Sequence, residues 1–126
     1  MKKFLLSVSL LMLLVSGCAH NPIPQADARV KLVGGLGSSV YVSDVLCVRN
    51  QAGYCLLQAN MVNNSKKQAR VEYKVQWLDG TGMEIESLVS TWQMIAVQPG
   101  EIKGLSAVAP NKEASDFRFY ARPFGR

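Results

Sequence analysis

The sequence predicts an all-β domain, a β-sandwich or small barrel of about six or seven short strands. Three observations predict it: a strict two-residue alternation near the middle of the chain, turn chemistry at short intervals, and no amphipathic helix of useful length. The alternation is clearest over residues 70–77, where Val71, Tyr73, Val75 and Trp77 interleave with Arg70, Glu72, Lys74 and Gln76. Apolar residues on one side and charged residues on the other describe a strand with one buried face.

The first seventeen residues stand apart from that domain. Lys2 and Lys3 precede an apolar run from Phe4 to Val15, and Val15-Ser16-Gly17 places small residues before Cys18. This is the layout of a secretory signal with its cleavage site, assigned to residues 1–17. A membrane-spanning anchor is the competing reading, but twelve residues cover only ~18 Å as a helix against a ~30 Å hydrocarbon core. Val-Ser-Gly-Cys resembles the lipobox of bacterial lipoproteins, in which the cysteine becomes the lipidated first residue. Cys18 is therefore the expected lipidation site, and several acyl chains on one residue hold a protein more firmly than the single chain that binds only marginally. Residues 18–28 read as the lipidated cysteine and a Pro-containing tether, and residues 29–126 as a single domain. Extended, ten such residues span at most ~35 Å. The residue after the cysteine is Ala19 rather than Asp. That resembles the sorting pattern for the outer membrane, with the domain on its periplasmic face.

Within the domain, residues 40–48, 54–62, 84–89, 91–97 and 102–109 are further expected strands, and residues 117–120 repeat the alternation briefly. Asn50-Gln51-Ala52-Gly53, Asn63 to Lys67, Asp79 to Gly82, Pro99-Gly100 and Pro110-Asn111 supply the turns between them. A short turn at residues 111–115 is the only helical candidate.

Cysteine arithmetic points to the same compartment. If Cys18 carries lipid, Cys47 and Cys55 remain as a pair, and a disulfide is the default in the oxidising periplasm. Two buried thiols are the alternative. The expected geometry is a pair of directly opposed cross-strand residues closing a hairpin centred on Gln51.

No catalytic constellation is legible. His20 is the sole histidine and sits in the tether, so a nucleophile–base pair has no fixed base to draw on. Cys47 and Cys55 lack companion zinc ligands and C-x-x-C spacing. Asp79, Glu84 and Glu86 lack the ordered spacing of a calcium loop, and Gly34-Gly35-Leu36-Gly37 lacks the G-x-G-x-x-G pattern of a phosphate cradle. No enzyme activity, metal or cofactor is expected. The formal net charge of +5 falls to about +3 without Lys2 and Lys3. No long basic block accompanies it, which argues against a dedicated nucleic-acid binder. Trp77 and Trp92 are read as core rather than as a sugar platform. Arg118, Arg122 and Arg126 are read either as a solvated face and frayed end or as a basic edge for headgroups or cell-wall polymer. Asn63-Asn64-Ser65 matches a glycosylation sequon, set aside because the lipobox is bacterial.

Several segments carry a family resemblance. Cys18, the run from Ala59 to Asn64, the run from Tyr73 to Asp79, Trp92-Gln93, Pro99-Gly100-Glu101 and the run from Ala107 to Asn111 resemble the YcfL-type lipoproteins of gammaproteobacteria. The resemblance covers nearly the whole mature chain. It implies a compact, mostly β domain of immunoglobulin-like sandwich character and supplies no catalytic residues. The expectation is a non-catalytic protein-binding or accessory module of the cell envelope, held to the membrane by its lipid. A glycan- or lipid-binding module is the alternative.

Overall fold

The computed structural model describes residues 27–125, so the expected signal (1–17), Cys18, His20, most of the tether and Arg126 lie outside the described residues. Seven strands form: β1 (Val30–Leu32), β2 (Val40–Arg49), β3 (Cys55–Asn63), β4 (Ala69–Leu78), β5 (Gln93–Val97), β6 (Ile102–Val108) and β7 (Asp116–Pro123). They make two sheets, β1-β7-β4-β5 and β2-β3-β6, and the described residues contain no helix. The fold is an all-β sandwich.

Starting from β2, the pairings follow the immunoglobulin pattern. β2 and β3 form a hairpin, β4 and β5 form a second hairpin in the facing sheet, β6 returns beside β3, and β7 returns beside β4. The place beside β7 that a following strand would take is filled by β1. That pairing is parallel, the one departure from antiparallel order, and it matches Val30 with Phe119 and Leu32 with Ala121. A chain entering from the amino terminus must run parallel to β7 if it is then to cross into β2 of the other sheet. The crossing is made by the glycine-rich segment, where Gly34 has φ +67° and a Cβ on it would lie 2.7 Å from Pro123 Cδ. Only glycine fits that approach without strain.

The alternation in residues 70–77 does what its period implies. Val71, Tyr73, Val75 and Trp77 point inward to meet Phe117, Phe119 and Ala121 of β7, and they pack against Leu57, Ala59 and Met61 of β3. Tyr73 stacks on Phe119 at 5.5 Å, and Trp77 meets Phe117 edge-on at 6.3 Å. Aromatic pairs of this kind add about 1 kcal/mol beyond their buried area. Tyr73 hydrogen-bonds Gln93 through its hydroxyl, and burial raises its pKa above the usual phenol value.

Two expected elements did not form as read. Residues 84–89 make only a single bridge, Leu78 to Glu84, before the chain leaves the sheet. The β4 edge is free there, but Ile85 donates its N–H to Trp77 and the following residues turn through Ser87 to Ser90. Leu88 ends 97% exposed. The helical candidate is instead a turn, in which Asn111 Oδ1 accepts the N–H groups of Glu113 and Ala114. Asn side chains favour such turns by replacing the backbone acceptor.

Candidate functional site

The sandwich presents two outer faces of opposite character. On the four-stranded sheet the outward positions are Lys31 of β1, Asp116, Arg118, Tyr120 and Arg122 of β7, Arg70, Glu72, Lys74 and Gln76 of β4, and Met94 and Ala96 of β5. The register sets Lys31 and Lys74 on either side of Tyr120 and places Arg122 opposite Glu72. Five cations thus share the face with two carboxylates, Glu72 and, at the start of β7, Asp116. Elsewhere in residues 27–125 the acids outnumber the bases, seven to six.

Contacts on this face are ordered. Arg122 donates to Glu72 at 2.7 Å while its guanidinium lies 3.8 Å from the centre of the Trp92 ring. Lys74 Nζ sits 5.1 Å from that ring and 5.5 Å from the Tyr120 ring, and the Tyr120 hydroxyl donates to Gln76. Trp92 precedes β5 rather than standing in mid-strand, and it is half-buried on the outer surface. Trp77, by contrast, is 1% exposed, as expected of a core residue. An open depression of about 790 Å³ lies beside this face, lined by residues that include Arg29, Lys31, Arg118 and Tyr120.

The three-stranded sheet carries the other face. Val48, Leu56 and Val108 form one cross-strand row, Leu46, Gln58 and Ser106 the next, then Ser43, Asn60 and Gly104, then Tyr41, Val62 and Ile102. Leu46, Val48, Val108 and Ile102 are large exposed apolar residues. Asp44 is the one charged residue here. It sits in a β-bulge between Ser43 and Leu46 with φ +52°, and its carboxylate accepts from Ser43 Oγ and Asn60 Nδ2. A second open depression of about 480 Å³ surrounds it. Both outer strands of this sheet, β2 and β6, pair only with β3.

Cys47 and Cys55 form a disulfide with Cα atoms 6.2 Å apart. They are diagonal rather than directly opposed, because Arg49 faces Cys55 and Cys47 faces Leu57. The loop is one residue further along than expected: Asn50 N–H donates to Tyr54 O and Tyr54 N–H to Asn50 Oδ1, centring the turn on Ala52. Arg49 then anchors the tip by donating to Gly53 O.

Asp79 Oδ1 accepts from Thr81 N–H, Thr81 Oγ1 and Met83 N–H, and these bonds hold its carboxyl below the usual range. It builds a turn. Among the described residues no cluster of three or more His, Cys, Asp or Glu is gathered in metal-binding geometry. The sequon residue Asn63 is fully buried, with Nδ2 donating to Lys67 O and Val97 O and Oδ1 accepting from Ser65.

The sequence pattern pointed to Arg118 and Arg122 but missed Lys31, Lys74 and Tyr120 as their neighbours. The polar half of the residue 70–77 alternation was the available signal for Lys74. The apolar outer face was missed altogether, since an exposed valine and a buried one look alike in sequence.

Residues 28–123 match a family described as protein of unknown function, DUF1425. Solved structures are similar to the chain, among them two crystal structures. The crystal structure of Campylobacter jejuni cj0090 is 28% identical, with TM-score 0.64, over 75% of this chain and 97% of that one. A DUF1425 family member from Shewanella sp. pv-4 is 26% identical, with TM-score 0.62, over 71% of this chain and 83% of that one. No curated protein matches the chain.

Proposed function

The chain belongs to the DUF1425 family, and we propose that it is a non-catalytic protein-binding module of the bacterial cell envelope. In this reading it is a YcfL-type lipoprotein, acylated at Cys18 and held on the periplasmic face of the outer membrane. The observation that carries the binding role is the outer face of the three-stranded sheet. Leu46, Val48 and Val108 are exposed together at one end of a surface whose sole charge is Asp44, Ile102 is exposed at the other end, and the free edges of β2 and β6 border it on both sides. Exposed apolar surface flanked by free strand edges suits a protein partner, which can cover the side chains and extend the sheet.

The glycan alternative loses its aromatic platform. Trp77 is in the core, and one face of Trp92 is covered by Arg122.

The test is site-specific photocrosslinking in intact cells from Val108, with Lys66 as the control position. A single protein captured from Val108, absent from Lys66, and lost on Leu46→Lys is the expected result. Capture of lipid alone, or no adduct from Val108, would refute the binding face. Separately, accumulation of an uncleaved precursor under a signal peptidase II inhibitor is expected, and unchanged processing would overturn lipidation at Cys18.

A further inference from the structure

We propose that the outer face of the four-stranded sheet lies against an anionic phospholipid bilayer and fixes the domain's orientation on it. The inference rests on the membrane anchoring at Cys18 put forward above, and it is independent of any protein partner.

Four observations converge. The face carries a net positive charge: Lys31, Arg70, Lys74, Arg118 and Arg122 face outward with Glu72 among them and Asp116 at the start of β7, while in the rest of the described chain acids outnumber bases seven to six. Such a charge separation orients a molecule near a negative surface, because the field attracts one face and repels the remainder. Secondly, Trp92 and Tyr120 are interleaved with those cations, within 5.5 Å of Lys74. Amphipathic rings beside Lys and Arg are the composition found at headgroup level. Thirdly, the face is a sheet surface, able to bring several cations to one plane at once. Finally, the chain enters the domain at β1, which is the edge strand of this same sheet. Eight residues separate Cys18 from Asp27, a reach of at most ~30 Å. A domain held that closely, and attached at the edge of its basic sheet, can lay that sheet on the bilayer. The apolar face of the opposite sheet is then directed away from the membrane, free for a partner.

Glu72 offsets one of these cations, being paired with Arg122, whose guanidinium is in turn stacked on Trp92. That arrangement holds the ring at the surface.

Trp92 reports on docking, since Trp77 is buried away from any lipid. The full chain isolated from membranes is incorporated into vesicles of phosphatidylcholine alone, or of phosphatidylcholine with phosphatidylglycerol, each containing brominated acyl chains. Quenching of Trp92 is expected in the anionic vesicles, reversing at ~1 M salt, where the Debye length is ~3 Å. Lys31→Gln with Arg118→Gln, both at exposed positions, lowers the docked-to-undocked ratio about 25-fold, from about fivefold for each cation lost at ~1 kcal/mol. The equal charge change Lys66→Gln with Lys112→Gln, placed off the face, leaves the ratio within about twofold of the parent. Unchanged melting temperatures confirm that all variants fold. Equal quenching in neutral vesicles, no loss in the Lys31/Arg118 variant, or an equal loss in the Lys66/Lys112 variant overturns the proposal. So does retention of the chain by a soluble acidic polysaccharide with no quenching by anionic lipid. No protein partner is present in these assays, so a failure here leaves the protein-binding reading standing, and a failed crosslink leaves this one standing.

Discussion

Asn63 is a fully buried polar residue that joins four pieces of the fold. Its amide bonds Lys67 O and Val97 O, its carbonyl takes Ser65, and its backbone meets Glu101 and Gly100. Removal strands the buried Val97 carbonyl as well as opening a void. Asn63→Ala is expected to cost about 2 kcal/mol, the penalty of leaving a buried acceptor unpaired. A denaturant midpoint within error of the parent would show that the cluster is dispensable. A second residue-scale contact governs acid stability. The Arg29 guanidinium bonds the Asp27 carboxylate and holds its pKa down to about 2, while stacking 4.4 Å from the centre of the Phe117 ring. A carboxyl depressed in the folded state stabilises fully above its unfolded pKa of about 3.8 and loses that contribution as pH falls toward about 2. Asp27→Asn should therefore melt below the parent at neutral pH, with the two curves converging near pH 2. A difference that persists undiminished at that pH would exclude the ion pair as its source.

At the scale of elements, the strongest local control is on the β2–β3 hairpin. A bulge at Asp44 interrupts its ladder, and the register beyond it is held by the Cys47–Cys55 bond across a five-residue loop. Cys47→Ser with Cys55→Ser should lower stability by about 2.5 kcal/mol on the chain-entropy account. Urea denaturation of the parent with and without reductant tests this, and overlapping curves would show the bond contributes little. The strands most legible in the sequence, β2, β3, β4 and β6, are stretches of seven to ten residues bounded on each side by turn residues. β1 was not separable from its surroundings because three residues are too few to show a period. Residues 84–89 have strand composition and a free β4 edge beside them, but after the Leu78–Glu84 bridge the chain turns through Ser87 to Ser90, and β-propensity without pairing does not make a strand. The hairpin loop was placed a residue early because the Asn50 side chain, not the backbone alone, closes it.

For the whole molecule, the two outer faces divide two tasks. The basic aromatic sheet face is proposed to lie on lipid, and the apolar face opposite is proposed to receive a protein. Because they are on different sheets, their variants should be separable. Leu46→Lys abolishes the crosslink and leaves Trp92 quenching intact, and the Lys31/Arg118 pair does the converse. Loss of both functions in either variant would show that the faces are not independent.

The sequence by itself determined the all-β class, because a period of two with one apolar side, and no amphipathic helix to cover that side, leaves another sheet surface to bury it. It made a Cys47–Cys55 bond the expectation through cysteine count and the expected oxidising compartment, with two thiols as the alternative, and it made export the expectation through residues 1–18. Tertiary structure alone decided that β1 completes the sheet beside β7, that Trp92 lies outside while Trp77 lies inside, and that Asn63 ties the sheets together. It also gathered the cations of β1, β4 and β7 onto one face. Alternation states which side of a strand is buried, whereas the grouping of outward side chains depends on which strands become neighbours. Those neighbours are contributed by segments as distant as Lys31 and Tyr120, and no local pattern encodes their pairing.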